Sequence, residues 1–190
     1  DTAVVIVTFG RDSAREAAQA VALENQLRQD LLADVYVLEL TMPGEAPGFP
    51  AELRDRVNYV AVPADESHAD LFQKEALWNY GWRYARRRQE YDYYLFFDAD
   101  VYAEDLTWHR AIRERLRANP ARAVQSFDVV IDTQDPQFRM SSIAATFLCH
   151  RPNDFTGTPG IGAGLHRSLL DMGDGCNGYT VGHCGASLVV

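Results

Sequence analysis

Two carboxylates follow directly on an apolar, aromatic-rich run of the sequence. In YDYYLFFDADVYAEDL, residues 91–106, one alanine separates Asp98 from Asp100. Residues i and i+2 of an extended chain point to the same side, so both carboxylates can face one target. Two like charges this close raise each other's pKa unless a cation joins them, and hard divalent cations prefer oxygen ligands. The pattern predicts a metal site; the plain alternative is that Asp98 ends a strand and Asp100 caps a loop.

A single cation precedes this pair. Lys74 is the only lysine in the chain and falls on a predicted helix that leads into the aromatic strand. A lysine in this position can contact a base or a phosphate, or it can lie on a solvated helix face. Asn79 and Gly81 follow on the same helix, where a glycine also permits close packing.

Strand-like and helix-like segments alternate up to residue 132. We predict strands at 3–7, 34–40, 57–62, 92–98 and 122–131, and helices from Ser13 to about residue 32, from 68 to 89 after a Ser67 cap, and at 105–119. This order predicts an α/β fold with a mainly parallel sheet. Later segments are less regular, with a strand at 141–149, a short helix at 162–172 and a glycine-rich loop at 173–185.

The composition and net charge of the chain disfavour some classes of function. The 190 residues carry a net charge of −9, which repels phosphate backbones and anionic lipid and disfavours nucleic acid as a partner. No stretch reads as a transmembrane segment. We therefore expect a cytoplasmic protein. Because the chain starts at Asp1 without Met, it is expected to be a processed product or a piece of something longer, and it would be lumenal if a signal or anchor segment was removed. The cysteines, Cys149, Cys176 and Cys184, are expected to be free thiols, although Cys176 and Cys184 could be bridged in an exported protein.

The combined pattern resembles the donor-binding half of GT-A fold glycosyltransferases. In those families a Lys or Arg, an Asn-x-Gly and a small residue lie on the helix before a strand that ends in a DxD motif. VAVPADESHADLFQKEALWNYGWRYA and YYLFFDADVYAEDL follow this order. The resemblance covers residues 3 to about 106. It implies one GT-A-like Rossmann-type domain over residues 1–190, with a donor half at 1–106 and an acceptor half at 107–190.

The resemblance also implies an activity and its site. The activity is metal-dependent transfer of a sugar from a nucleotide-diphosphate donor, with UDP as the expected nucleotide and Mn²⁺ or Mg²⁺ as the cofactor, to a saccharide or other hydroxyl acceptor. The residues implied to contact the nucleotide sugar are Thr8, Gly10, Arg11, Glu39, Lys74, Asn79 and Asp98. Those implied to hold the metal are Asp98, Asp100 and His183, although His183 can equally be a partly buried histidine without a ligand.

The acceptor half departs from the family pattern. Residues 157–175 are similar to an acceptor-side segment, in which Gly162 and Gly164 would let the backbone approach a sugar. Inverting members then present an acidic pair, but GHCGASL at 182–188 has no acid. Asp171 and Asp174 are the candidate catalytic bases. Alternatively, the enzyme retains configuration and the leaving phosphate takes the proton, or the domain binds donors without turnover.

Three tryptophans and two further aspartates have expected positions in the fold. We expect Trp78 and Trp82 in the core and Trp108 near the ligand, and we expect Asp128 and Asp132 to bracket a strand.

FFDAD with the later GDGCNG also resembles haloacid-dehalogenase-like phosphatases, although these need a lysine between the two motifs. A nucleotidyltransferase is a weaker fit, because TFGRDS has one glycine where a phosphate-binding loop is expected.

Overall fold

The computed structural model describes residues 1–9, 13–64, 74–126, 130–132, 147–149, 153–154 and 162–173. Its strands are β1 (Thr2–Thr8), β2 (Asp34–Thr41), β3 (Asn58–Pro63), β4 (Tyr93–Asp98), β5 (Val101–Ala103), β6 (Val124–Gln125), β7 (Val130–Asp132), β8 (Phe147–Cys149), β9 (Asn153–Asp154) and β10 (Gly162–His166). Its helices are α1 (Ser13–Leu27), α2 (Ala51–Arg54), α3 (Lys74–Arg88), α4 (Trp108–Ala118) and α5 (Arg167–Gly173).

The main sheet has the order β3-β2-β1-β4-β10-β6-β9. Strands β1 to β4 run parallel to one another, and β10 pairs antiparallel with β4. All seven residues of β1 are buried, because this β-branched run has a strand on each side and a layer of side chains on each face. The predicted α/β class with a mainly parallel sheet is confirmed.

The two faces of the sheet bury different helices. On one face Val5, Leu38 and Phe96 pack with Trp78 and Trp82 of α3, which confirms both tryptophans as core residues. On the other face Ile6, Val37 and Phe97 pack with side chains of α1 and α4, among them Leu23, Ile112 and Leu116. Alternate residues of each strand therefore point to different layers.

Gly81 explains how closely α3 lies on the sheet. A Cβ atom at this position would be 2.5 Å from Cγ1 of Val5 and 2.8 Å from Cδ1 of Leu38. The Asn-x-Gly of the sequence pattern therefore has a packing role at its glycine. None of the described helices is long and apolar enough to span a membrane.

Two segment predictions are wrong. Residues 162–166 form β10 rather than the start of a helix, and the helix begins only at Arg167. A Cβ at Gly164 would be 2.4 Å from Cγ2 of Ile112, so the small residues of this strand fit between the sheet and α4. The predicted strand at 122–131 is not continuous, because β6 belongs to the main sheet and β7 to a separate sheet of order β5-β8-β7. Ser67 and Asp128 lie outside the described residues.

Candidate functional site

The carboxyl ends of three parallel strands meet at one edge of the sheet. Thr8 is the register partner of Glu39, and Val7 is the register partner of Asp98. Asp98 therefore shares a sheet face with Val7, towards α3, whereas Thr8 and Glu39 point to the opposite face. Ligands of open α/β sheets bind beyond this edge, so the structure brings these predicted residues to the expected place.

Lys74 and Asp98 form an ion pair at this edge. The Lys74 ammonium nitrogen is 3.1 Å from Oδ2 of Asp98, and the two side chains are 16% and 21% exposed. The same ammonium lies 5.2 Å from the ring centroid of Trp78, one turn further along α3. The helix thus presents its positive charge to the end of β4.

The second oxygen of Asp98 has a different environment. Oδ1 is buried and has no hydrogen-bond partner among the described residues. Burial raises the pKa of Asp98 to about 7; the Lys74 charge opposes this rise and the Asp100 charge adds to it. An unpartnered carboxylate oxygen beside a second carboxylate is suited to a ligand that brings positive charge.

Asp100 lies in a tight turn rather than in a strand. Ala99 and Asp100 link β4 to β5, and Asp100 is 8% exposed. Strand alternation is therefore the wrong reason for the two carboxylates to face one target, because the extended chain ends at Asp98. The two groups are still close enough for the charge on Asp100 to raise the pKa of Asp98.

Buried amides of α1 hold the segment that follows this turn. Asn25 donates to the carbonyl of Ala103 at 3.1 Å and accepts from its N–H at 2.8 Å. Gln26 donates to the carbonyl of Val101 at 3.1 Å. Sequence reasoning missed these residues, although Ala18, Ala22, Asn25, Gln26 and Gln29 recur at the spacing of a buried helix face.

The Glu39 carboxylate accepts hydrogen bonds from other residues of the chain. Its buried carboxylate accepts from the N–H of Gly48 at 2.6 Å, from the N–H of Phe49 at 3.1 Å and from the hydroxyl of Tyr59 at 2.5 Å. Burial, together with this hydrogen bond, raises the pKa of Tyr59. Glu39 thus fixes the loop after β2, and its contact with a base or ribose stays a prediction.

The other nucleotide residues are only partly described. The hydroxyl of Thr8 is buried and accepts from the side-chain amide of Gln19 at 2.6 Å. Asn79 is half-buried on α3, five residues after Lys74. Gly10 and Arg11 lie outside the described residues, so their predicted contacts with the nucleotide remain predictions.

The structure does not bring Asp171 to this edge. It lies on α5, which follows the end of β10 that pairs with Tyr93, at the start of β4. There its carboxylate accepts from Arg86 at 2.6 Å, in a pair whose side chains are 39% and 47% exposed. Asp171 and Asp98 are thus at opposite ends of β4, and Asp174 lies outside the described residues.

Three residues expected near the ligand have packing roles in the structure. Trp108 is 2% exposed, stacks on Phe97 with ring centroids 4.6 Å apart, and donates its indole N–H to the carbonyl of Ser126. A Cβ at Gly162 would lie 2.6 Å from the Phe97 ring and 2.7 Å from the Ser126 hydroxyl. The space that a side chain would need at Gly162, like that at Gly164, is filled by the protein's own atoms, so close packing requires both glycines. The expected approach of a sugar to their backbone stays a prediction.

Within the described part of the chain, no group of three or more His, Cys, Asp or Glu residues is placed to hold a metal ion. Asp98 and Asp100 therefore supply two protein ligands at most from this part. His183, the third expected ligand, lies outside the described residues, so the sequence prediction that includes it is unchanged.

A solved structure of another protein shares this fold. The mannosyltransferase PcManGT from Pyrobaculum calidifontis, in complex with GDP-Man and Mn²⁺, matches 94% of this chain and 48% of its own with a TM-score of 0.54 and 14% identity. The structure of S. aureus TarS 1-349 matches 91% of this chain and 49% of its own with a TM-score of 0.49 and 13% identity. No protein-family model and no curated protein matches the sequence.

These findings define the class of fold. The chain has a GT-A-like α/β fold, with Asp98, Asp100 and Lys74 at the edge where such sheets bind ligands. It covers 48% of the PcManGT chain, 49% of TarS 1-349 and 29% of the longer TarS chain.

Proposed function

We propose that the chain binds a nucleotide-diphosphate sugar beyond the carboxyl ends of β1, β2 and β4 and transfers the sugar to a saccharide or other hydroxyl acceptor. The observation that carries this proposal is the pair of carboxylates, Asp98 and Asp100, beside the Lys74 ammonium on a GT-A-like sheet. An acidic protein needs local positive charge to bind a diphosphate. Lys74 supplies one charge, and a divalent cation would supply the rest.

The residues at this edge fit Mn²⁺ or Mg²⁺. Oδ1 of Asp98 is buried without a partner among the described residues, and Asp100 supplies a second hard oxygen ligand. When bound there, a divalent cation would stabilise the leaving nucleoside diphosphate. Two carboxylates leave the remaining coordination positions to water, to phosphate oxygens and to His183, if that residue reaches the site.

Lys74 has two roles in this proposal. Its hydrogen bond to Oδ2 fixes the orientation of the Asp98 carboxylate and leaves Oδ1 for the cation. Its charge also lies at the edge where the phosphates would bind, which favours an anionic ligand. Thr8, Gly10, Arg11 and Asn79 complete the proposed contacts with the nucleotide, and Glu39 shapes the loop beside it.

The donor nucleotide is proposed as UDP, with GDP as the next candidate because PcManGT was solved with GDP-Man. The proton of the acceptor goes either to Asp174 or to the leaving phosphate. The position of Asp171, paired with Arg86 at the far end of β4, does not support a role as the base.

Donor hydrolysis tests the proposal without a known acceptor. The full chain is incubated with UDP-sugars and GDP-sugars, each with Mn²⁺, with Mg²⁺ or with EDTA, and the released nucleoside diphosphate is measured. We expect release from one nucleotide class only, lost in EDTA and lowered about 100-fold or more in Asp100→Asn. Asp105→Asn is the matched control, because the Asp105 carboxylate caps the Thr107 N–H at the surface.

The alternatives give different results. Metal-dependent binding of one nucleotide without release would favour a donor-binding domain that has lost turnover. Hydrolysis of phosphate monoesters with no response to any nucleotide sugar would favour the haloacid-dehalogenase-like phosphatase and contradict the proposal.

A further inference from the structure

We propose that the buried amides of Asn25, Gln26 and Gln29 act as positioning residues that hold Asp100 in its metal-binding orientation. They do so through the main chain of residues 101–109. This inference rests on the proposed function, because it assumes that Asp100 binds a metal ion. We call these three side chains the amide clamp.

The side-chain amide of Asn25 takes the place of a neighbouring β-strand beside Ala103. Its amide gives and receives one hydrogen bond with the same residue, at 3.1 Å and 2.8 Å, as a paired residue in a sheet would. On its other side β5 pairs with β8, in which Cys149 is the register partner of Ala103. The short strand after the Asp100 turn is thus held between a strand and a helix side chain.

Gln26 holds the residue directly after Asp100. Its side-chain nitrogen donates to the Val101 carbonyl at 3.1 Å. Because a carbonyl can only accept, the end of the amide that faces Val101 is the nitrogen and the other end is the oxygen. That oxygen lies 2.6 Å from Nε2 of His109. Nε2 must therefore carry the proton, and the imidazole ties Gln26 to α4.

Gln29 extends the clamp to the start of α4. It donates to the carbonyl of Asp105 at 3.4 Å and accepts from the N–H of His109 at 3.2 Å. The N–H of Asp30 also donates to the Leu106 carbonyl at 2.8 Å. Contacts with α1 and with the turn that follows it therefore recur from residue 101 to residue 109.

The residue type has an electrostatic reason. An amide both donates and accepts, so one side chain can satisfy a buried main-chain N–H and carbonyl. A carboxylate in the same place could only accept. It would also add a negative charge close to Asp98 and Asp100, whose negative charges already repel each other. The clamp thus fixes an acidic turn without adding to its charge.

Loss of the amide clamp would lower the metal affinity because the Asp100 carboxylate would no longer be held in one direction. Asp100 lies in a turn of two residues, so its carboxylate direction depends on the main chain on both sides. β4 fixes one side, and the amide clamp with β8 fixes the other. Positioning partners of this kind alter metal affinity by about 10- to 100-fold when they are removed.

The test compares three variants of the full chain. Asn25→Ala removes two clamp bonds, and Gln26→Ala removes the bond next to Asp100 and keeps the proposal testable if Asn25→Ala does not fold. Asn58→Ala is the matched control, because Asn58 also donates an amide hydrogen bond to a main-chain carbonyl, that of Val35. Val35 lies near the start of β2, at the opposite end of the sheet from Asp100.

Two quantities are measured for each variant. The affinity for MnCl₂, alone and with UDP or GDP, is followed by electron paramagnetic resonance of free Mn²⁺, and stability is followed by thermal unfolding. We expect Asn25→Ala and Gln26→Ala to weaken Mn²⁺ binding by about tenfold or more. Asn58→Ala should lose stability while keeping the wild-type Mn²⁺ affinity.

The failure of the clamp and the failure of the proposed function are distinguishable. If the wild type binds Mn²⁺ and both clamp variants bind it equally well, the clamp has no positioning role. If they weaken Mn²⁺ binding only as much as Asn58→Ala does, the effect is a general loss of stability, which also overturns the inference. A wild type that does not bind Mn²⁺ with either nucleotide overturns the proposed function, and the inference with it.

Discussion

The Lys74 ammonium lies 3.1 Å from Oδ2 of Asp98 and joins the start of α3 to the end of β4. The contact occupies one carboxylate oxygen, whereas Oδ1 is buried without a partner among the described residues. The protein thus orients Asp98 through one oxygen, and under the proposed function a metal ion would be the partner of the other.

Lys74→Met should destabilise the fold by about 1–3 kcal/mol, because it leaves the mostly buried Asp98 carboxylate without its charged partner. Chemical denaturation measures this change. The double variant Lys74→Met with Asp98→Asn should recover part of the loss, since the unpaired charge is gone. Arg86→Met is the control: it breaks an exposed pair with Asp171 and should cost about 0–1 kcal/mol. Equal losses in Lys74→Met and Arg86→Met would show that the mostly buried Lys74–Asp98 pair contributes no more to stability than an exposed pair.

His109 should make the protein less stable in mild acid. Burial lowers its folded-state pKa to about 3, so below the unfolded pKa of about 6.5 only the unfolded chain takes up its proton. The contribution of His109 to stability should therefore fall as the pH drops from about 6.5 towards 3, by up to about 1.4 kcal/mol per pH unit. The raised pKa of Asp98 acts in the opposite direction between about pH 7 and 4, so the contribution of His109 is the difference between the wild type and His109→Gln. Urea unfolding at several pH values measures the slope. A His109→Gln variant that loses stability just as steeply over this range would show that other groups cause it.

Gly81→Ala should destabilise the fold by about 1–3 kcal/mol, because the new methyl group would overlap Val5 and Leu38 beneath α3. Gly44→Ala is a useful comparison. Gly44 has a φ of 77° and open space around it, so its cost of about 1 kcal/mol comes from the backbone alone. Thermal unfolding of both variants is the measurement. A stable Gly81→Ala protein would mean that α3 lies further from the sheet.

Glu39→Gln separates a structural role from a ligand role. The amide keeps only one acceptor oxygen for the N–H groups of Gly48 and Phe49 and the Tyr59 hydroxyl, so we expect a loss of about 1–3 kcal/mol. Tyr59→Phe removes one of these bonds without touching Glu39. If both variants keep the wild-type nucleotide affinity, measured by calorimetry, Glu39 acts on the loop alone. A loss of affinity confined to Glu39→Gln would favour the predicted contact with base or ribose.

The sequence predicts the local features well and the non-local ones poorly. The buried run before Asp98 and the helix after Lys74 follow from periodicity, and the alternation of strands and helices gives the sheet. The local sequence at 162–166 does not reveal a strand, because its partners, β4 and β6, lie far away in the chain. The amide clamp was missed for a different reason. Its residues have the spacing of a buried face, but a search for apolar residues passes over them.

Isothermal titration of the full chain with UDP and GDP, with and without Mn²⁺, tests the central assignment most directly, with wild type and Asp100→Ala compared side by side. We predict that the wild type binds one nucleotide only when Mn²⁺ is present, and that Asp100→Ala loses this binding while its unfolding stays cooperative. Equal nucleotide affinity in the two proteins, or wild-type binding that does not depend on the metal, would contradict the assignment of Asp98 and Asp100 as the carboxylates of a metal-diphosphate site.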